Sequence, residues 1–196
     1  MTIAPQQPIL TVIEGKNNLR KLTEDHLTFI KVGFGYSLEV LIKAGYETDG
    51  ATIPENLLND ERYGKKIEDH IRSKYPSIKT RYDFENLVKY LVGTPWDMPR
   101  LLAAIVHDVL YGRKWKIRWL CDKVYRLSLL ENNYDVIRAE IEYGGIRLLG
   151  WKNWESVSDS ERKHTKRLSE VKIIKTKNKE KEIRRIWEQL GKKISR

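Results

Sequence analysis

The sequence predicts an α+β fold: a small antiparallel sheet or hairpin packed on a three-helix core, followed by a basic helical C-terminal extension. Three observations carry this expectation. Leu27–Val32 and Tyr36–Ile42 are rich in β-branched and aromatic residues and flank Gly33-Phe34-Gly35, the pattern of a hairpin. Between Asp97 and Leu149, apolar residues recur three and four apart in three successive runs, the period of helices. Beyond Glu161 the chain turns strongly basic.

Taken in order, residues 1–18 read as an irregular lead, with Pro5, Pro8 and the turn-like Gly15-Lys16-Asn17-Asn18. The hairpin glycines lack the third glycine and the following helix of a nucleotide-binding loop, so that reading is set aside. Residues 45–54 form a loop, and residues 55–95 a polar insertion with one helix, Phe84–Val92. The first core helix starts near Asp97, a side chain suited to an N-cap, with Pro99 in its first turn, and stops at Gly112. A second runs from about Lys116 to Glu131, with Ile117, Leu120, Val124 and Leu127 on one face. A third runs from about Tyr134 to Leu149 and carries Ile137, Ile141 and Leu148. Its Gly144-Gly145 weakens the helix by roughly 1 kcal/mol per glycine relative to alanine, which points to close packing there. Ser158 and Glu161 have the spacing of a capping box. Further on, Ile183, Ile186, Trp187, Leu190 and Ile194 form an amphipathic helical pattern among basic residues. The expected divisions are therefore 1–18 (lead), 19–157 (α+β domain) and 158–196 (basic helical extension).

Composition narrows the function classes. The longest clean apolar run, Leu101–Val106, is far short of the roughly 20 residues a membrane-spanning helix needs. The N-terminus shows neither a basic nor an apolar signal region, so synthesis in the cytoplasm is expected. Cys121 is the only cysteine, which excludes an internal disulfide and a multi-cysteine zinc site. From Glu161 to Arg196 there are 14 Lys and Arg against 5 Asp and Glu, whereas the first 160 residues hold 23 against 22. Attraction to nucleic acid, through residues 162–196, or to an acidic partner therefore belongs to the tail, and a free nucleic-acid-binding module is disfavoured.

Within the balanced body, His107-Asp108 interrupts the most apolar stretch, Leu101–Tyr111. Neither side chain has a charged neighbour three or four residues away on its own helix. A buried, unpaired carboxylate costs several kcal/mol or takes up a proton, so a partner from elsewhere is expected.

Three polar motifs surround that helix: Thr48-Asp49-Gly50-Ala51-Thr52-Ile53-Pro54, His107-Asp108-Val109-Leu110-Tyr111, and Arg118 to Asp122. In this order they resemble a family of unknown function found in tailed phages and prophages. Thr52 stands for that family's usual serine, Cys121 for an alanine, Tyr125 for a final aromatic, and Ala44-Gly45-Tyr46 for a glycine-aromatic lead-in. Tyr143–Gly150 is similar to its closing aromatic and Val-Arg stretch. The resemblance covers roughly residues 24–154 without the insertion. It implies a phage or prophage setting, and a small sheet packed on helices.

As ligands, Asp49, His107, Asp108 and Asp122 offer one imidazole and three carboxylates, a set that suits a divalent metal in a hydrolytic site. Adjacent His-Asp also resembles metal-dependent phosphohydrolases that use such a pair, although His26, His70 and His164 lie outside the motifs. Without a metal, His107 would act as general base, oriented by a carboxylate, and Tyr111 would donate, with Asp49 and Asp108 completing the catalytic set. Thr52, Gly50 and Arg118 would then contact the ligand. The structural alternative is as direct. Asp49 would cap a turn, Arg118, Asp122 and Arg126 would form an i, i+4 ladder, and Asp108 would accept from His107, Tyr36 or an arginine. Trp96, Trp115, Trp119, Trp151 and Trp154 read as core or interface aromatics. Two functions follow: a metal-assisted hydrolase, or a non-enzymatic virion or assembly component whose tail docks a phage structural protein, a host protein or nucleic acid.

Overall fold

Alternation sets the sheet. In β3 (His26–Gly33) and β4 (Tyr36–Ile42), every second residue points to the same side. Antiparallel pairing places His26 opposite Ile42, Thr28 opposite Val40 and Ile30 opposite Leu38. The turn needs left-handed backbone, which Gly33 and Gly35 supply at φ 98° and 76°. The hairpin thus forms where the sequence places it, in a computed structural model that describes residues 8–13, 19–33, 35–49, 63–93 and 98–175.

The sheet has a third strand that the sequence reading missed. β6 (Ser169–Lys175) pairs antiparallel with β4, Val171 lying opposite Val40, to give the order β3-β4-β6. This segment was expected to be helical extension. Its strand signal, Val171, Ile173 and Ile174 between Glu170, Lys172 and Lys175, was masked by the basic charge around it. Ahead of it the capping box forms in both directions. Glu161 N–H donates to the Ser158 hydroxyl and Ser158 N–H to the Glu161 carboxylate, opening α7 (Asp159–Arg167). The amphipathic pattern at 183–194 lies outside the described residues.

A second sheet of order β1-β2-β5 joins Leu10–Val12, Arg20–Leu22 and Glu47–Thr48. Two segments expected to be irregular, the lead and the loop at 45–54, therefore each supply a short strand. Strands this short carry too few side chains to show a period. Pairing of Arg20 with Thr48 fixes where the Thr48-Asp49 motif leaves the sheet.

The remaining described elements are helices: α1 (Tyr63–Lys74), α2 (Arg81–Gly93), α3 (Met98–Gly112), α4 (Arg118–Glu131), α5 (Val136–Leu149) and the short α6 (Trp151–Ser156). The expected insertion holds two helices, not one, and they belong to the core. Ile67 and Ile71 of α1 pack with Phe84 and Val88 of α2 and with Ile141 of α5. Two apolar residues four apart suffice for this contact, but they leave α1 with a charged sequence. Gly144 of α5 lies against this contact, where a Cβ would stand 3.4 Å from Ile67, an ordinary packing distance. The main core lies between α3, α4 and the inner faces of both sheets and includes Leu22, Ile30, Leu38, Val40, Ile105, Val109 and Val124. Asp97, the expected N-cap of α3, lies outside the described residues. Among the described residues no helix is long and apolar enough to cross a membrane.

The end of α3 meets α7 so closely that a Cβ at Gly112 would sit 2.5 Å from Thr165 Oγ1 and 3.2 Å from its Cβ. Thr165 is buried and has no open side to turn toward. Gly112→Ala is expected to lower stability by about 1–3 kcal/mol through overpacking. Thr165→Ala in the same chain should recover most of that loss, as measured by urea denaturation.

Candidate functional site

Successive residues of a helix point about 100° apart. His107 and Asp108 therefore serve different neighbours, although they are adjacent in sequence. His107 turns toward α4 and α5, and Asp108 turns toward β5.

On the α4 side the receiving group is Asp122, which has no exposed surface. Its Oδ1 lies 3.1 Å from His107 Nε2 and accepts from the Tyr111 hydroxyl at 2.5 Å. Its Oδ2 accepts from Arg147 Nη1 of α5 at 2.7 Å, and the Arg118 guanidinium stands 3.8 Å away. Burial alone would raise the Asp122 pKa. The bonds from His107, Tyr111 and Arg147 outweigh it and hold the carboxyl below the usual carboxylate range. Burial in turn lowers the pKa of His107, against the opposing pull of Asp122, so the ring is neutral at pH 7. Burial and the neighbouring carboxylate also keep Tyr111 protonated as a donor. Arg118 spends its hydrogen bonds on the carbonyl of Arg147, at 3.2 and 3.1 Å, and so finishes the C-terminus of α5. Arg126 leaves the expected ladder altogether: its Nε donates to Glu140 at 2.8 Å.

On the β5 side, the Thr48 hydroxyl donates to Asp108 Oδ2 at 2.9 Å. Asp108 is half-buried and Asp49 is exposed. Burial and the nearby charge of Asp49 push Asp108 up to about 8, against the lowering effect of the Thr48 bond. Asp49 is itself raised, by the protein that replaces water on one side of it. The buried Tyr46 stands near both carboxyls, and burial followed by their charge keeps its hydroxyl protonated. Burial and the nearby charge of Asp49 thus favour the protonated form of Asp108, the two carboxyls acting on each other through their charge.

The four expected metal ligands are thus divided. Asp49 lies near enough to act on Asp108 through its charge, and His107 bonds to Asp122. Among the described residues no three His, Cys, Asp or Glu side chains gather as a metal site requires. The mixed imidazole and carboxylate site does not fit this arrangement, because the helix turns its two central donors in different directions. Gly50 and Thr52, expected to contact a ligand, lie outside the described residues.

Sequence reasoning missed a further buried group. Arg100 of α3 donates from Nε to Glu142 Oε1 of α5 at 2.9 Å, both side chains being essentially without exposure. The Tyr125 hydroxyl of α4 donates to the other Glu142 oxygen. Tyr125 also sets its ring edge-on to His107, with centroids 5.4 Å apart, so the two networks adjoin. A signal was present: Arg100 and His107 are seven residues apart, two turns along one face. Among the aromatics, Trp115 and Trp154 pack on the core, Trp154 edge-on to Tyr111 at 5.1 Å. Trp119 and Trp151 are exposed, and Trp96 lies outside the described residues.

No protein-family model, no curated protein and no solved structure matches this chain.

Removing the Asp122 charge should leave Arg147 and the buried polar ring facing an uncompensated site. Asp122→Asn is expected to cost about 3–5 kcal/mol in chemical denaturation. The pH dependence has a definite sign. The pKa of Asp122 is lowered on folding, so its contribution is complete above its unfolded value near 3.8 and is lost as pH falls through the folded value. The variant should lack that acid-side loss.

Proposed function

We propose that this chain is a phage-type protein that hydrolyses its substrate by acid–base chemistry at the pair Asp49 and Asp108, with His107, Tyr111 and Asp122 holding the helices that present it. The observation that carries this reading is the placing of two carboxyls from two separate motifs near enough for the charge of one to raise the other, with Asp108 half-buried on its Thr48 bond. Such a pair has the two functions hydrolysis needs. Asp108, kept protonated, donates to the leaving oxygen, and Asp49, ionised, takes a proton from the attacking water. The Thr48 hydroxyl fixes one oxygen of Asp108, so the acid proton sits on the other. No step passes through a metal. The substrate is one whose leaving group needs a proton, such as an ester, a phosphoester or a glycoside.

A second reading has its own support. His107, Tyr111 and Arg147 all direct a hydrogen-bonding atom at the buried Asp122 inside the protein, which is what a fold-fixing network requires. In that reading the chain is a virion or assembly component, and the motifs hold its shape.

The two readings separate in an activity screen of the purified protein on ester, phosphoester and glycoside panels between pH 5 and 9. Turnover is expected to fall by roughly 100-fold or more in Asp108→Asn and in Asp49→Asn, with folding retained. Absence of turnover by the wild type on every panel would leave only the assembly reading.

Stability gives an independent check on the carboxyl pair. The pKa of Asp108 is raised on folding to about 8, so its contribution is complete below its unfolded value of 3.8 and is lost as pH rises toward 8. Wild-type protein should weaken across that window, and Asp108→Asn should not, as read by urea midpoints at each pH.

A further inference from the structure

The loop between α3 and α4 carries charge that the networks above do not use. From Arg113 to Trp119 the chain reads Arg-Lys-Trp-Lys-Ile-Arg-Trp, four cations without an acid. Trp115 packs on the core, and its N–H donates to the carbonyl of Leu110 at 2.9 Å. On either side of it, Lys114 and Lys116 adopt left-handed backbone at φ 47° and 58°. Lysine resists that conformation, which glycine and asparagine take more readily. The other non-glycine residue so placed among the described residues is Asn133. The backbone alone would therefore favour other residues at both positions, and the charge of the two lysines accounts for them. The arginines of this loop bond inward, Arg113 to the carbonyl of Ser169 at 2.7 Å and Arg118 to that of Arg147. Neither lysine has an ion pair among the described residues.

Apolar side chains stand out at the same end of the molecule. Ile117, which precedes α4, is 61% exposed, and Trp119 in the first turn is 47% exposed. The bond from Arg118 to Arg147 sets this turn against the end of α5. The junction of α5 and α6 also lies on the last turn of α3, where a Cβ at Gly150 would stand 2.9 Å from the Tyr111 hydroxyl. Trp151, 44% exposed, follows that junction directly. Exposed apolar residues are ordinary when scattered, but these are grouped among cations. Lys123 and Lys152 hold their ammonium groups 5.3 and 5.7 Å from the ring centres of Trp119 and Trp151. Residues 112–123 and 147–156 together hold seven Lys and Arg against Asp122, which is buried, and Glu155.

We propose that this end of the molecule docks on the surface of an anionic lipid bilayer. Its charge selects a negative partner. Ile117 decides among negative partners, because an exposed aliphatic side chain gains from entering the acyl boundary and nothing from a phosphodiester backbone. Indole rings settle at the headgroup level, as Trp119 and Trp151 would. Lysine lays its stem along apolar surface and keeps its ammonium among phosphates, as Lys114, Lys116, Lys123 and Lys152 would. The contact is peripheral, made by one loop and two helix ends.

The test uses the full-length chain with phosphatidylcholine–phosphatidylglycerol vesicles and with pure phosphatidylcholine vesicles, the bound fraction being read by flotation. Preference for the anionic vesicles is expected. Lys114→Gly with Lys116→Gly keeps the turn, since glycine takes its backbone readily. It should weaken binding by roughly 5-fold per lysine, about 30-fold for the pair. Ile117→Asp, at an exposed position, should weaken it as well. Vesicles with brominated acyl chains locate the contact. They should quench the emission of Trp119, taken as the difference between wild type and Trp119→Phe. Equal binding to both vesicles, undiminished binding in both variants, or absence of Trp119 quenching each overturns the proposal. Quenching of Trp119 by oligothymidylate and not by vesicles overturns it in favour of single-stranded nucleic acid.

Discussion

A carboxylate withdrawn from water must be met by donors, and at Asp122 those donors come from two helices and join them to a third. Asp122 stands on α4, Tyr111 and His107 reach it from α3, and Arg147 from α5. The contact therefore does more than neutralise one charge. It sets the distance between α3 and α4, brings the end of α5 against them and leaves Arg118 to close the last turn of α5. Hydrophobic burial is not directional and would tolerate several rotations of these helices. The Asp122 ring, with the adjoining Arg100, Glu142 and Tyr125 group, accepts one.

That constraint positions the candidate chemistry without taking part in it. Once α3 is rotated so that His107 faces Asp122, Asp108 is turned toward β5 and meets Thr48 and Asp49. Adjacent residues thus divide the work, one locking the helix and the next exposed to a loop motif. The different protonation states follow from the surroundings. Asp122 has three donors that hold its pKa low, whereas among the described residues Asp108 has the Thr48 donor and a like charge nearby, and burial with that charge raises it.

Much of this was legible in the sequence where a period or a cap carried the signal. The hairpin, α3 and the Ser158 box are of this kind, and the lack of charged helical neighbours at His107 and Asp108 marked them as needing partners from elsewhere. The particular pairing was not legible, because which neighbour each side chain meets depends on the rotation of α3. β6 was hidden by charge. α1 was hidden by having only Ile67 and Ile71 to mark its buried side. The strands at Leu10–Val12 and Glu47–Thr48 are too short for alternation to register. Arg100 was passed over because a charge near a helix start reads as solvated, and only the seven-residue spacing to His107 shows otherwise.

The sheet order has a consequence for how the protein is made. β4 ends at Ile42, whereas the strand that completes it begins at Ser169, so most of the chain is synthesised between the two partners. Pairing across such a separation is slow to form. Until the ribosome has released the last part of the chain, β4 has β3 on one side and a row of unmatched amides and carbonyls on the other. Such an edge is a template for any extended strand nearby. A product that ends within α7 keeps that edge permanently and is prone to association with its own kind, whereas the finished chain seals it with β6.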